Sequence, residues 1–245
     1  MNVPLSESAD TRIDSMNSSR GAVRRRSDAE ETRRRVLDAV VATVIDIGYY
    51  KTSSNEIARR AGVTWGSIQH LFGSREQLML DVVNDIGSGM EAEFRGAAIA
   101  GDTLEERLAS VLAVLAGHYE QDRYLVQILI LLELSANPKM SALGGRVMDG
   151  QGSEGFDRLA QPLFAQAIGE DAADHDLVLY AFLTFRGYLT SSGISRRMAA
   201  LPEGAFVRLM GKSQAISEPA LRELVVRGVA TTIREEAKRR GHEIR

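Results

Sequence analysis

The sequence has 245 residues, of which 44% are hydrophobic and 26% charged, and its formal net charge at pH 7 is -3. This composition is typical of a globular protein, and the length suits one large domain or two small ones. The chain has no cysteine, which excludes disulfides, thiolate zinc sites and cysteine nucleophiles. Because no apolar run approaches the roughly 18 residues of a membrane span and the first residues lack a secretory h-region, we expect a cytoplasmic protein.

Charge is distributed unevenly along the chain. Residues 20–80 carry 11 Lys and Arg against 7 Asp and Glu, whereas residues 81–245 carry 18 against 23. A basic N-terminal module on an acidic body is expected when one end of a protein meets phosphate groups. Ordinary charge scatter would look the same, so this asymmetry indicates DNA binding only together with a motif.

The first elements are predicted from polarity and from helix-capping patterns. Residues 1–26 are polar, rich in serine and without periodicity, so we predict a disordered basic arm. A helix is predicted to begin at Ser27, with Glu30 completing a capping box, and to end at Gly48. A second box, Ser53 with Glu56, begins the next helix.

A glycine turn and a third short helix follow. Gly62 makes the turn, Thr64 caps the helix, and Gly73 ends it before Ser74 caps a fourth helix. This order is typical of a helix-turn-helix, in which the second helix of the pair enters the major groove. It explains the stretch GVTWGSIQHLF, whose polar side chains face away from the predicted core. These outward-facing residues are Trp65, Ser67, Gln69 and His70.

The segment from Thr32 to Leu78 resembles the tetracycline-repressor (TetR) family of transcriptional regulators. The resemblance is carried together by Leu37-Asp38-Ala39, Gly48-Tyr49, Thr52-Ser53, Ile57-Ala58, Ala61-Gly62-Val63, Gly66-Ser67, Phe72 and Ser74-Arg75-Glu76. It implies an all-α protein with a helix-turn-helix head, residues 27–73, on a helical regulatory and dimerisation body, residues 74–245. It also implies a DNA-binding face made of Ser53, Ser54, Asn55, Thr64, Trp65, Gly66, Ser67, Gln69, His70 and Arg75.

Physical chemistry agrees with these implied roles. Gly66 allows a close backbone approach to phosphate, Arg75 suits a phosphate contact, and Gln69 can reach base edges. The family more often has tyrosine at the position of Gln69 and a small or basic residue at that of Trp65, so the operator sequence cannot be transferred. A candidate minor-groove arm is formed by Arg24, Arg25 and Arg26.

Beyond residue 87 the sequence predicts further helices around an apolar core. A glycine-dense stretch, Leu143–Gly155, is predicted to be a loop. We expect a mostly apolar cavity that binds a small hydrophobic effector. Its candidate lining residues are Phe94, His118, Tyr119, Tyr124, Glu133, Phe164, Phe182 and Phe185. His118 and His175 lack spaced partners, so no metal site is predicted, and no cofactor or catalytic motif is found.

The resemblance also implies a homodimer formed by the last two long helices, predicted at Asp176–Ser192 and Ser217–Arg240. The candidate interface residues are Gly187, Ser191, Leu224 and Gly228. The predicted function is a ligand-responsive regulator, in most such proteins a repressor, that an effector releases from a palindromic operator. Two alternatives stay open: a helical enzyme acting on a small apolar molecule, and an adaptor that uses the helix-turn-helix to bind protein.

Overall fold

The computed structural model describes residues 7–136, 153–199, 218–242 and 244. Within these ranges the chain is almost entirely helical and contains no strand, which confirms the predicted all-α class. The helices are α1 Glu7–Ile47, α2 Ser54–Ala61, α3 Trp65–Phe72, α4 Arg75–Gly96, α5 Leu104–Tyr119, α6 Asp122–Ser135, α7 Ser153–Ile168, α8 His175–Ala199 and α9 Glu218–Arg239. A short 3-10 turn, Tyr49–Lys51, joins α1 to α2.

Helix α1 begins much earlier than the predicted start at Ser27. Residues 7–26 are helical and continuous with the rest of α1, where the sequence pattern predicted a disordered arm. Between Pro4 and Ser27 the sequence has no proline and a single glycine, Gly21, so little in this stretch interrupts a helix. The Ser27 capping box therefore lies inside a helix instead of at its start.

Contacts divide the chain into two compact units, Met1–Val82 and Val83–Arg245, which we call the head and the body. The division falls within α4, beyond the boundary at residue 73 that the sequence suggested. In the head, α1 packs against α2 and α3, and α2 packs against α3. The body is organised around α5, which contacts α6, α7, α8 and α9.

Each unit has its own buried apolar core. In the head the fully buried side chains include Val36 and Val40, one helical turn apart on α1, and Ile57 and Ile68 on α2 and α3. Arg33 ties three head helices together, since it lies 4.6 Å over the ring of Phe72 and forms a 2.6 Å ion pair with Asp81. The body core is formed by side chains such as Leu108, Leu115, Phe164, Phe185 and Ile233.

None of the described helices is both long and apolar enough to cross a membrane. The predicted glycine-dense loop, residues 143–155, lies mostly outside the described residues, and its last three residues belong to the start of α7.

Candidate functional site

Two side-chain caps and one glycine set the geometry of the helix-turn-helix. The Ser53 hydroxyl accepts a hydrogen bond from the Glu56 amide at 3.2 Å, and the Thr64 hydroxyl accepts one from the Ser67 amide at 3.1 Å. Gly62 ends α2 in the left-handed conformation, with φ 66°, which any residue with a Cβ adopts only at a cost. The predicted caps of both helices are therefore confirmed.

Helix α3 separates its residues cleanly into a core side and a polar side. Ile68 and Phe72 are buried, whereas Ser67, Gln69 and His70 are exposed. Trp65, for which the sequence predicted an outward position, is half-buried, as is Leu71. The exposed side presents hydroxyl, amide and imidazole groups, which are the groups that donate to phosphate oxygens and to base edges.

Gly66 lies on the same exposed side of α3. A Cβ placed there would meet only the Thr64 hydroxyl, at 3.8 Å, so nothing in the described parts of the chain requires a glycine. A requirement for glycine at this position would have to come from something that approaches the backbone from outside.

The start of α2 also lies at the surface, with Ser53 and Asn55 exposed and Ser54 half-buried. The Glu56 carboxylate does not complete the predicted capping box, because it binds the guanidinium groups of Arg59 and Arg60. Hydrogen bonding to Arg59, and then to Arg60, lowers the pKa of Glu56 to about 2. This carboxylate is therefore charged at neutral pH and offsets part of the positive charge on α2.

Arg75 contributes to the packing of the head as well as to its surface. It is half-buried, donates to the Thr52 carbonyl at 3.0 Å, and lies 5.4 Å over the Tyr49 ring. Its guanidinium thus links the start of α4 to the turn before α2. A role in positioning α2 was not visible from the sequence, because Thr52 and Tyr49 lie 23 and 26 residues before Arg75.

The basic residues of the N-terminal segment lie on a helix. Arg24 and Arg26 are exposed on α1, and Arg25 belongs to the same helix. An α-helix with side chains is about 10–12 Å wide, whereas the minor groove of DNA is about 6 Å wide. In this helical form the segment is wider than the minor groove, so a minor-groove contact would have to come from its arginine side chains, and the predicted arm stays a prediction.

The structure adds residues of α1 that sequence reasoning missed. Asp28, Ala29 and Thr32 line one wall of an open groove of about 600 Å³, and the other wall is formed by α3. The residues contributed by α3 and its cap are Thr64, Gly66, Ser67, His70 and Leu71. The sequence signal for this groove is the polarity of α1 before Val36, which is the first buried residue among the described side chains of this helix.

Residues 36–82 match the family model described as bacterial regulatory proteins, tetR family. The head is a tetR-family domain. The matched segment contains all ten residues that the resemblance placed on the DNA-binding face, from Ser53 to Arg75.

Regulators that carry the same kind of head are found among curated proteins. The HTH-type transcriptional regulator BetI of Cronobacter sakazakii (strain ATCC BAA-894) is 35% identical over 92 residues, which cover 36% of this chain and 43% of that protein. BetI of Rhizobium meliloti (strain 1021) is 33% identical over 86 residues, covering 35% and 42%. The matches thus span about two fifths of the length of these relatives.

Solved structures share the fold over most of the chain. A transcriptional regulator from Rhodococcus sp. Rha1 aligns with a TM-score of 0.56 and 15% identity, covering 83% of this chain and 96% of that one. Salmonella enterica GusR aligns with a TM-score of 0.50 and 18% identity, covering 82% and 95%. Because these alignments cover most of the chain, they show that the body as well as the head shares the fold of these structures. Identities of 15% and 18% do not support a comparison of ligands.

The body contains a cavity of about 420 Å³ between the middle of α4, the end of α5 and the start of α6. Its lining residues are Asp85, Ile86, Ser88, Gly89, Met90, Glu93, His118, Gln121, Arg123 and Tyr124. Six of these residues have charged or polar side chains, and Tyr124 adds a phenol. This cavity therefore differs from the mostly apolar one that we expected.

Two of the eight predicted pocket residues, His118 and Tyr124, line this cavity. Phe94 and Tyr119 lie behind His118, with ring centroids 6.3 Å and 5.1 Å from its imidazole. The other four residues contribute elsewhere. Phe164 and Phe185 are fully buried and stack in the body core at 6.0 Å, Phe182 is half-buried 6.2 Å from the Tyr119 ring, and Glu133 is half-buried on α6.

The predicted dimerisation residues all lie at the surface of α8 and α9. Gly187, Ser191 and Gly228 are exposed, and Leu224 is 47% exposed. Other apolar side chains of these two helices are also exposed, namely Tyr180, Leu183, Ile194 and Leu221. On α8, Leu183, Gly187 and Ile194 follow one another at intervals that bring them to one side of the helix.

Proposed function

We propose that the protein is a sequence-specific DNA-binding transcriptional regulator with a regulatory and not a catalytic role. The observation that carries the proposal is the polar exposed side of α3, set by the Thr64 cap and backed by buried Ile68 and Phe72. The names of the curated relatives, which are HTH-type transcriptional regulators, support it. In this proposal α3 enters the major groove, and Gln69 reads base edges there.

We further propose that the protein acts as a homodimer on a palindromic operator. Glycines and exposed apolar side chains on α8 and α9, such as Gly187, Leu183 and Leu224, suit the close packing of identical helices. A two-fold dimer places two copies of α3 against two half-sites, so the operator repeats the symmetry of the protein.

We also propose that the protein represses transcription until a small effector binds the body. The body cavity is bounded by the middle of α4, the helix that begins in the head. Tyr124, in the same lining, accepts hydrogen bonds from Arg186 at 3.2 Å and Thr190 at 3.4 Å, both on α8. An occupant of the cavity would therefore act on α4 and on the proposed dimer helix, and differential affinity for two states would shift DNA binding.

The experiment that tests DNA recognition starts with selection from a random duplex library by the purified full chain. We expect an enriched palindrome, and recovery of no enriched sequence would contradict the proposal. The chain has 1 tryptophan, Trp65 in α3, so its fluorescence reports binding at the proposed face.

Two variants then separate base readout from phosphate contact. Gln69→Ala should relax the preference at particular base pairs, since Gln69 is exposed and its loss leaves the fold unchanged. Arg75→Ala should weaken binding to all sequences alike, because it removes a phosphate contact and also the hydrogen bond to the Thr52 carbonyl before α2. Arg239→Ala, at an exposed arginine near the end of α9, is the control for the loss of one positive charge. If Gln69→Ala weakened every sequence equally, Gln69 would not be a base reader.

A further inference from the structure

The charged side chains that line the body cavity carry a net negative charge. Its charged lining residues are Asp85, Glu93 and Arg123. Arg123 forms a 2.7 Å ion pair with Asp85, so these two charges largely compensate each other. Glu93 is exposed and, within the described parts of the chain, forms no ion pair. A ligand that enters this cavity meets one uncompensated carboxylate.

A buried polar atom in the wall of the same cavity also lacks a partner. His118 is 5% exposed, and in the described structure its Nε2 has no hydrogen-bond partner. Burial, with a smaller contribution from the nearby Arg123 charge, lowers the pKa of His118 to about 4. The imidazole is therefore neutral at pH 7, and a neutral imidazole can present one nitrogen as an acceptor.

Aromatic and thioether groups complete the surroundings of this imidazole. The Tyr124 ring lies 5.6 Å from that of His118 and also lines the cavity, as do the side chains of Met90 and Ile86. Aromatic faces attract a cation, and a flexible thioether side chain accommodates an apolar substituent. The volume of about 420 Å³ is in the range of small-molecule sites.

We propose that this cavity binds a small organic ammonium ion, a primary or secondary amine with an apolar substituent, which donates an N–H to His118 and places its charge near Glu93. The assignment rests on the proposed function, because it names the effector class for the same cavity. The N–H is essential to it, because it supplies the hydrogen bond that the buried Nε2 of His118 lacks in the described structure. A quaternary ammonium ion carries the charge but cannot make this hydrogen bond.

The test compares three probes that share one apolar part. They are 2-phenylethylamine, its N,N,N-trimethyl derivative and 3-phenylpropionate, titrated calorimetrically into the full chain at pH 7.5 without DNA. We expect the amine to bind, the trimethyl derivative to bind about tenfold more weakly, and the anion to bind least. Tighter binding of the anion, equal binding of the two cations, or no binding of the amine at millimolar concentration would overturn the proposal.

Variants locate the binding in the cavity. Glu93→Gln, at an exposed position, should weaken amine binding about fivefold, and His118→Phe, which keeps a ring in the same space, about tenfold. Glu91→Gln is the matched control, because Glu91 lies on the same helix and outside the cavity lining. Unchanged affinity in both cavity variants would overturn the assignment.

DNA binding is measured separately on the selected duplex. If the amine fails to bind while the chain still selects a palindrome, the ligand class is wrong and the proposed function stands. If the amine binds but no DNA does, the proposed function fails and the cavity assignment remains as a binding site.

Discussion

At the scale of single residues, Gly66 is a position where a substitution should affect folding stability and DNA binding in opposite directions. A Cβ added at Gly66 would make only an ordinary van der Waals contact with Thr64, and its backbone is not in the left-handed region. Gly66→Ala should therefore raise the stability of the head by about 0.5–1 kcal/mol, because alanine loses less conformational entropy in a helix. It should also weaken DNA binding at least about tenfold if the backbone approaches a phosphate.

Trp65 fluorescence measures both effects, by urea unfolding and by DNA titration. Gly117→Ala on α5, another exposed glycine with open space around it, is the control and should leave DNA affinity unchanged. An unaltered DNA affinity in Gly66→Ala would show that no close backbone contact exists at this position.

A second prediction for a single residue concerns His118 and the pH dependence of the stability of the body. Its pKa is about 4 in the folded protein, below the value of 6.5 expected when the chain is unfolded. The unfolded state thus binds the proton more tightly, and the free energy of unfolding should fall as the pH drops from 7 to 4, by up to about 3 kcal/mol. His118→Phe should lose this component, which urea unfolding at several pH values will measure. A wild-type profile identical to that of the variant would contradict the prediction.

At the scale of elements, α8 and α9 present the surface that we propose for dimerisation. Gly187 is exposed and has open space around it, so Gly187→Asp should fold normally as a protomer. In a two-fold dimer the new charge would be buried twice, and the dissociation constant should rise more than about 100-fold. Analytical ultracentrifugation measures this change.

Gly117→Asp serves as the matched control for the dimer as well, since it introduces the same charge at an exposed glycine of α5. A wild-type chain that is monomeric at micromolar concentration would remove the basis of the prediction. Equal effects of the two variants would place the interface elsewhere.

At the scale of the whole molecule, dimerisation and DNA binding should be linked through salt dependence. The logarithm of the binding constant falls linearly with the logarithm of salt concentration, with a slope proportional to the number of phosphates neutralised. A dimer places two heads on the operator and so neutralises about twice as many phosphates as one head. The slope for the dimer should therefore be about twice that for the monomeric Gly187→Asp variant. Fluorescence titrations of the selected duplex at several salt concentrations give both slopes, and equal slopes would show that a single head binds.

Local features of this protein were predictable from the sequence alone because they depend on residues three or four positions apart. The caps at Ser53 and Thr64 each join a side chain to an amide three residues later, and both form as predicted. The spacing of Ile57, Ile68 and Phe72 likewise places them on the core side of short helices. The start of α5 is equally local, because the Thr103 hydroxyl accepts from the Glu106 amide and the Glu106 side chain accepts from the Thr103 amide.

Only the tertiary structure decided which polar and aromatic residues form the body cavity. Asp85 and His118 lie on different helices, and they line the same cavity only because the middle of α4 lies beside the end of α5. Phe164, Phe185 and Tyr124 are all aromatic residues, and the sequence analysis assigned all three to the pocket. In the structure Phe164 and Phe185 stack in the core, whereas Tyr124 lines the cavity. Burial is the sum of contacts from segments far apart in sequence, which helical periodicity does not encode, whereas a cap or a turn is complete within a few residues.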